Sequence, residues 1–310
     1  MTIDNTFLRN LRNKLNDYST LYGTPFPPLS PFADYRTYVR RVRDANERFN
    51  RMTRRALSTL EFPHMALIIT GSNGRLEGYP SSPVEYVIVG DLPNVESLPD
   101  LEVKDFGSCM SFYMNDPNRV FPSRVLDGFV VGGDEEYLQQ AKKKVIEEMR
   151  DTRIMRKIRD KRKESQRIME TGCQKFKGSF ITHFDLNRGL ALYQTDNGGG
   201  EARSFKYGPL RYVQLKILEE LYNLIEKGYG HAILEMPTNT AERLIWMHDI
   251  NLLKLTSDEV KRVINSYRYF LWLYHLSQYL HHQKGYNELQ FDAEEVKEHL
   301  ETLRLLDTKA

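Results

Sequence analysis

The chain has 310 residues, of which 40% are hydrophobic and 28% charged, and its formal net charge at pH 7 is +2. This length predicts one large domain or two, and the near-neutral balance gives no reason from bulk charge to expect a particular partner. The two cysteines, Cys109 and Cys173, provide neither a disulfide framework nor a zinc ligand set, so we expect a protein of the reducing cytoplasm.

Residues 1–33 predict a short helix and a proline-rich connector, and the charges spread through this segment are not typical of a signal peptide. A strongly basic helix follows from Asp34 to about Glu61, with apolar residues at helical spacing. MALIIT (65–70) is typical of a strand buried on both faces, and VEYVIV (84–89) predicts a second strand. LEVKDFG, CMSFYM and SRVLDGFVVGG could supply three more.

Helices dominate the chain after Glu135. The next 35 or so residues contain neither proline nor glycine, which predicts one or two long helices. THFDLNRGLALYQTDNGGGEARSFKYG is irregular and predicts a strand and a loop, and a helix is expected to begin after Gly208-Pro209. A capping box at Thr256 to Glu259 begins a further helix. Its apolar run from Tyr269 to Leu280 is shorter than the roughly 20 residues of a membrane span, so we expect a buried helix and no membrane partner.

The segment TGSNGRLEGYPSSPVEYVIVGD (70–91) joins the two apolar strands through a Gly-Ser turn. Because glycine lets a backbone approach a phosphate closely, the Gly71–Ser72 turn could grip a triphosphate through its N–H groups. Glu85 opens the second strand, where a carboxylate could hold Mg²⁺ against the phosphates. A phosphate grip and a metal-binding acid are the two components that nucleotidyl transfer needs.

This stretch resembles the nucleotidyltransferase superfamily, in the branch that contains the uridylyltransferase of the PII signalling protein. That branch reads Gly-Ser-x-Gly-Arg-x-Glu, a short spacer, and then Ser-Asp-x-Asp. The chain matches it at Gly71, Ser72, Gly74, Arg75, Glu77, Ser82 and, for the second acid, Glu85. Three later stretches match in the same order, and they keep Asp127, Asp134, Lys206, Gly208, Leu210, Arg211, Leu280, His281, Gly285, Leu289 and Phe291.

The resemblance covers the chain from about Asp34 onward and implies its fold and its site. The expected fold is α/β (α+β): a nucleotidyltransferase-like mixed sheet with flanking helices at 34–145, followed by a mostly helical domain at 146–310. The resemblance implies that Gly71 and Ser72 hold the β- and γ-phosphates of a nucleoside triphosphate. It implies that Glu85 and Asp127 bind Mg²⁺ or Mn²⁺. The remaining nucleotide-binding residues that it implies are Arg75, Glu77, Lys206 and Arg211.

The chain departs from the family pattern at three acids. The first magnesium acid falls on Pro83, which has no metal-binding group, and two later acids fall on Ser204 and Tyr212. Because Mg²⁺ is commonly held by one or two carboxylates plus phosphates, Glu85 could suffice with help from Asp127. Asp91 is a poor substitute, since it lies about 20 Å along the strand from Glu85 at ~3.3 Å per residue.

Three functions follow from these observations. An active enzyme would transfer a nucleoside monophosphate from ATP or UTP to a hydroxyl of a protein or small molecule. The lost acids favour the alternative of an inactive protein that binds nucleotide or protein and acts as a regulator. The arginine-rich segments 40–55 and 153–167 are more simply solvated helices, but they leave an RNA-binding adaptor as a third alternative.

Overall fold

The computed structural model describes residues 10–11, 13–14, 34–62, 64–79, 84–90, 101–103, 108–112, 122–176, 179–193 and 203–308. The chain divides into two compact units. The first unit contains 1–29, 40–150 and 228–239, and the second contains 30–39, 151–227 and 240–310. Ser82, Pro83, Asp91 and the glycine run at 198–200 lie outside the described residues, as does the proline-rich connector.

The first unit is built on a mixed sheet of five strands in the order β3-β4-β2-β1-β5. The strands are β1 (Met65–Thr70), β2 (Glu85–Gly90), β3 (Leu101–Val103), β4 (Ser108–Phe112) and β5 (Phe129–Gly133). The pair of β2 and β4 is parallel and the other pairs are antiparallel. The helical segments are α1 (Tyr35–Leu57, whose residues 35–39 are assigned to the second unit), α2 (Gly71–Gly74), α3 (Pro122–Leu126), α4 (Glu135–Glu148) and a 3-10 helix (Gly230–Glu235). The mixed α and β composition predicted from the sequence is therefore confirmed.

One apolar face of α1 packs against the sheet, and every residue of β1 is buried. The strands predicted at MALIIT and VEYVIV and the helix predicted after Asp34 are confirmed, because long apolar patterns leave few alternatives. The shared core consists of Leu11, Phe49, Leu57, Met65, Leu67, Ile69, Val84, Tyr86, Ile88 and Val131.

SRVLDGFVVGG was predicted as one strand, and this prediction is wrong for its first half. Pro122–Leu126 forms a short helix, and the strand begins only at Phe129. Proline is well suited to the first turn of a helix, where its missing N–H costs nothing. The helical start matters for the site, because it sets the direction of Arg124 and Asp127.

The second unit contains a four-stranded antiparallel sheet in the order β6-β7-β8-β9, where the sequence predicted only a strand and a loop. Its strands are β6 (Cys173–Phe176), β7 (Ser179–Asp185), β8 (Leu190–Tyr193) and β9 (Glu288–Gln290). Its helices are α5 (Thr152–Thr171), α6 (Arg203–Phe205), a π-helix (Lys206–Leu210), α7 (Arg211–Glu226), α8 (Thr240–Asp249), α9 (Ser257–Lys284) and α10 (Ala293–Thr308). No helix among the described residues is long and apolar enough to cross a membrane.

Local signals explain where these helices begin. The capping box predicted at Thr256 is present, since Thr256 Oγ1 accepts from the Glu259 N–H and Glu259 Oε2 accepts from the Thr256 N–H. Asp151 caps α5 and so separates it from α4. The α-helix expected after Gly208-Pro209 is present and begins at Arg211, but a π-helix that contains both residues precedes it. The wider π turn accommodates a proline that cannot donate to the helical ladder.

Candidate functional site

The Gly-Ser turn follows β1 as the single helical turn α2. Gly71 has φ +65°, a left-handed conformation in which glycine carries no steric penalty. The Arg75 N–H donates to the Gly71 carbonyl at 3.0 Å, and the Glu77 N–H donates to the Ser72 carbonyl at 2.7 Å. Ser72 is half-buried. The predicted phosphate-binding turn is thus a closed, hydrogen-bonded loop at the end of a buried strand.

The antiparallel register places Glu85 beside this turn, because Thr70 and Glu85 are paired residues of β1 and β2. A Cβ added to Gly71 would lie 2.6 Å from Glu85 Oε2, so the carboxylate occupies the space that glycine leaves open. Glu85 Oε1 lies 3.2 Å from Arg124 Nη2, and these side chains are 37% and 34% exposed. The structure therefore brings Gly71 and Glu85 together with a solvent-accessible cation.

Asp127 occupies a different environment from Glu85. Arg75 lies between two carboxylates, with its Nη1 2.5 Å from Asp127 Oδ2 and its Nε 2.9 Å from Glu77 Oε2. The side chains of Arg75, Glu77 and Asp127 are 12%, 4% and 1% exposed. We call these three residues the buried triad. Asp127, which was predicted to bind metal, and Arg75, which was predicted to contact phosphate, are therefore paired with each other.

The turn is packed tightly against the segment that carries Arg124 and Asp127. A Cβ added to Gly74 would lie 2.2 Å from the Asp127 carbonyl oxygen, so only glycine fits there. Thr70 Oγ1 donates to the Arg124 carbonyl from the last residue of β1. These contacts hold α3 against α2 and so place Arg124 next to Glu85.

Two buried asparagines on α1, Asn46 and Asn50, form hydrogen bonds with the backbone of the turn and the residues that follow it. Asn46 Nδ2 donates to the Gly78 carbonyl at 2.9 Å, and Asn50 Nδ2 donates to the Asn73 carbonyl at 3.3 Å. Asn73 Nδ2 donates in turn to Asn46 Oδ1 at 3.2 Å. Asn239 Nδ2 adds a bond to the Arg75 carbonyl at 2.9 Å. Because each bond satisfies a buried polar group, together they fix the backbone of 73–78.

Lys206 and Arg211, the two basic residues predicted from the later motif, belong to the second unit. Lys206 Nζ lies 5.5 Å from the centre of the Tyr274 ring, and the Arg211 guanidinium lies 4.1 Å from the centre of the Tyr207 ring. Both cations are half-buried on the aromatic faces, where cation–π attraction holds them. Their predicted role toward phosphate remains a prediction.

The two later positions where the family has acids are core positions in this chain. Ser204 is 2% exposed and Tyr212 is fully buried. Tyr212 Oη donates to Asp307 Oδ2 at 2.6 Å, and burial followed by this hydrogen bond raises the pKa of the Tyr212 phenol above its usual range. These residues therefore serve the packing of the second unit rather than a metal.

Sequence reasoning missed Arg124, Asn46 and Asn50. Arg124 stands three residues before Asp127, a spacing that would have indicated a shared site if the segment had been predicted as helical. In the part of the chain that the structure describes, no three His, Cys, Asp or Glu side chains are grouped so that they could hold a metal ion. A separate cleft of about 420 Å³ in the second unit is lined by residues that include Cys173, His183 and Asp185.

Comparison with known proteins adds no assignment. No protein-family model matches the chain. No curated protein matches it either.

Proposed function

We propose that this chain is a nucleotidyltransferase-like protein that binds a nucleoside triphosphate at the Gly71–Ser72 turn and has lost efficient nucleotide transfer. The observation that carries the proposal is the pairing of Asp127 with Arg75, in a triad where Asp127 is 1% exposed. A carboxylate bound to a guanidinium and shielded from solvent is poorly placed to coordinate a metal. Pro83 removes another family acid from the same site.

The accessible groups near the turn favour phosphate binding. Arg124 is one-third exposed and reaches Glu85, which lies against Gly71. A guanidinium matches a phosphate better than a lone carboxylate does, because it can donate two parallel hydrogen bonds. In this proposal Arg124 exchanges Glu85 for a phosphate oxygen, and the turn supplies backbone N–H groups. ATP or UTP is the expected ligand in the cytoplasm, and a protein is the expected partner of the bound state.

Substitution of Glu85 distinguishes nucleotide binding that needs no metal from nucleotide binding that depends on a metal ion held by Glu85. If Glu85 merely competes for Arg124, then Glu85→Gln tightens the binding of ATP or UTP in EDTA by about three- to tenfold, since a nearby like charge is removed. Glu61→Gln, at an exposed position of the same unit, is the matched control and leaves affinity unchanged. Isothermal titration calorimetry measures both variants. If Glu85→Gln instead bound the nucleotide more weakly than the parent, and only in the presence of Mg²⁺, the proposal would be contradicted.

A second candidate is active transfer of a nucleoside monophosphate to a hydroxyl. The partial exposure of Glu85 beside the turn favours it, because this carboxylate could hold Mg²⁺ or Mn²⁺ against the phosphates. Incubation with labelled ATP or UTP, metal and lysate tests for transfer. Labelling that is lost in Glu85→Ala would support the enzyme, whereas labelling equal to that of the parent would reject Glu85 as a metal ligand.

A further inference from the structure

Between residues 40 and 55, one face of α1 carries six exposed arginines, which we call the arginine stripe: Arg40, Arg41, Arg48, Arg51, Arg54 and Arg55. At 3.6 residues per turn they fall within an arc of about 140°, and at ~1.5 Å per residue they extend over about 22 Å of helix axis. The opposite face, with Val42, Asn46 and Phe49, is buried. Two acids fall within the same arc: Asp44, which is exposed, and Glu47, which pairs with Arg43.

The charge of the stripe is not neutralised within the described part of the chain. None of the six side chains forms an ion pair or hydrogen bond with a described residue, whereas the neighbouring Arg43 pairs with Glu47 at 3.1 Å. Like charges three and four residues apart destabilise a helix. An anion that covers this face would relieve the repulsion and so stabilise the helix.

The basic helix α5 shows the ordinary alternative. There Arg153 pairs with Asp151, Arg159 pairs with Glu219, and Arg162 bridges to Glu219 and Asp307. Asp160 and Glu164 interrupt its exposed cations. A solvated helix explains α5, as the sequence indicated, whereas the six stripe arginines of α1 pair with no described residue.

The side chains of the stripe indicate which class of anion it binds. Its cations are all arginine, whose planar guanidinium binds phosphate in a bidentate manner. A membrane surface fits poorly, because interfacial helices insert an exposed apolar face and that face of α1 is buried in the core. Single strands are usually held by bases stacked on aromatic rings, and the one aromatic residue between positions 40 and 55, Phe49, is buried. A duplex offers one charge per ~1.7 Å, or about 13 over the length of the stripe.

We propose that the arginine stripe of α1 binds the phosphate backbone of a nucleic-acid duplex without reading its sequence. The contacts are electrostatic, so affinity depends steeply on salt and little on base composition. This surface is separate from the Gly71–Ser72 turn and adds a partner beyond the nucleotide. RNA and DNA duplexes share the phosphate chemistry, and the experiment distinguishes them.

The test measures fluorescence anisotropy of labelled RNA and DNA duplexes of about 20 base pairs over a range of salt concentrations. The parent is expected to show a slope of log K against log salt of about −4 to −5. The stripe variant Arg41→Gln/Arg48→Gln/Arg51→Gln/Arg55→Gln is expected to bind at least ~30-fold more weakly at ~0.1 M salt. Its slope is expected to be smaller by about 3 to 4. Tighter binding of the RNA duplex than of the DNA duplex would show that the stripe prefers the A-form geometry of RNA.

Matched variants separate the stripe from bulk charge and from misfolding. Arg153→Gln/Arg156→Gln/Lys157→Gln/Arg167→Gln makes the same charge change on α5 and is expected to alter affinity less than ~3-fold. Replacing the four stripe arginines by lysine keeps the charge and is expected to retain the salt slope. An equal loss in the α5 variant would overturn the proposal. Absence of duplex binding in the parent, or tighter binding to polyglutamate or to anionic vesicles, would overturn it as well.

Discussion

Glu85 and Asp127 are both acids near one turn, yet their surroundings assign them different chemistry. Glu85 is more than one-third exposed, and its one ion pair with a described residue is to Arg124, so it can exchange partners with a ligand. Asp127 is 1% exposed and held by Arg75, which Glu77 also contacts. Removing one partner of a buried ion pair leaves an uncompensated charge, so Asp127 is tied to folding.

Asp127→Asn is therefore expected to act first on stability. The substitution keeps the shape of the side chain and removes its charge, and it should lower the free energy of unfolding of the first unit by about 2–4 kcal/mol. Asp134→Asn is the matched control, since Asp134 is an exposed cap of α4 and asparagine caps almost equally well. Hydrogen exchange of the β1 amides under increasing urea measures both. A change as small as that of the control would show that the triad contributes little.

Helix α1 shows how one element is divided between two tasks. Its buried face carries apolar side chains for the core and asparagines that hold the 73–78 backbone. Its outer face carries the arginine stripe. Packing of the buried face stabilises the helix despite the repulsion on the outer one, because most helix stability in proteins comes from tertiary packing.

Arg51→Glu is expected to stabilise α1. The new carboxylate lies three or four residues from Arg48, Arg54 and Arg55, so three repulsive pairs become attractive, and repulsion from Glu47 offsets part of the gain. The free energy of unfolding of the first unit should rise by about 0.5–1 kcal/mol, while Arg51→Gln, which removes the repulsion without adding attraction, should gain less. Urea unfolding followed by hydrogen exchange in α1 tests this order. Destabilisation by Arg51→Glu would contradict the repulsion that we assign to the stripe.

How far the sequence could predict this chain depends on the range of each interaction. The strand β1, the helix α1 and the Thr256 cap follow from patterns within a few residues, and all three are confirmed. The second sheet was missed because its strands are short and β9 pairs with β8 from about a hundred residues further along the chain. The burial of Asp127 could not be predicted either. It depends on contacts between segments that are distant in the sequence, such as the packing of Gly74 against the Asp127 carbonyl.

The stability of the second unit is expected to depend on pH through His299. Its ring stacks on Tyr269 with the centroids 4.1 Å apart, and its Nδ1 lies 2.9 Å from Ser266 Oγ. Burial lowers the pKa of His299 below its usual value, while Glu295 and Glu298 oppose this shift. The unfolded chain therefore takes up a proton near pH ~6.5 that the folded unit resists, so stability declines as the pH falls from that value toward the folded pKa.

His299→Gln removes this titration, so it should flatten the pH dependence of unfolding below pH ~6.5 even though the lost ring stacking lowers stability at every pH. The two tryptophans, Trp246 and Trp272, both lie in the second unit, so their fluorescence during urea unfolding reports on it. His231→Gln, at an exposed position of the first unit, is the control and should leave the profile unchanged. If His299→Gln kept the acid dependence of the parent, the carboxylates of the second unit, rather than this imidazole, would account for it.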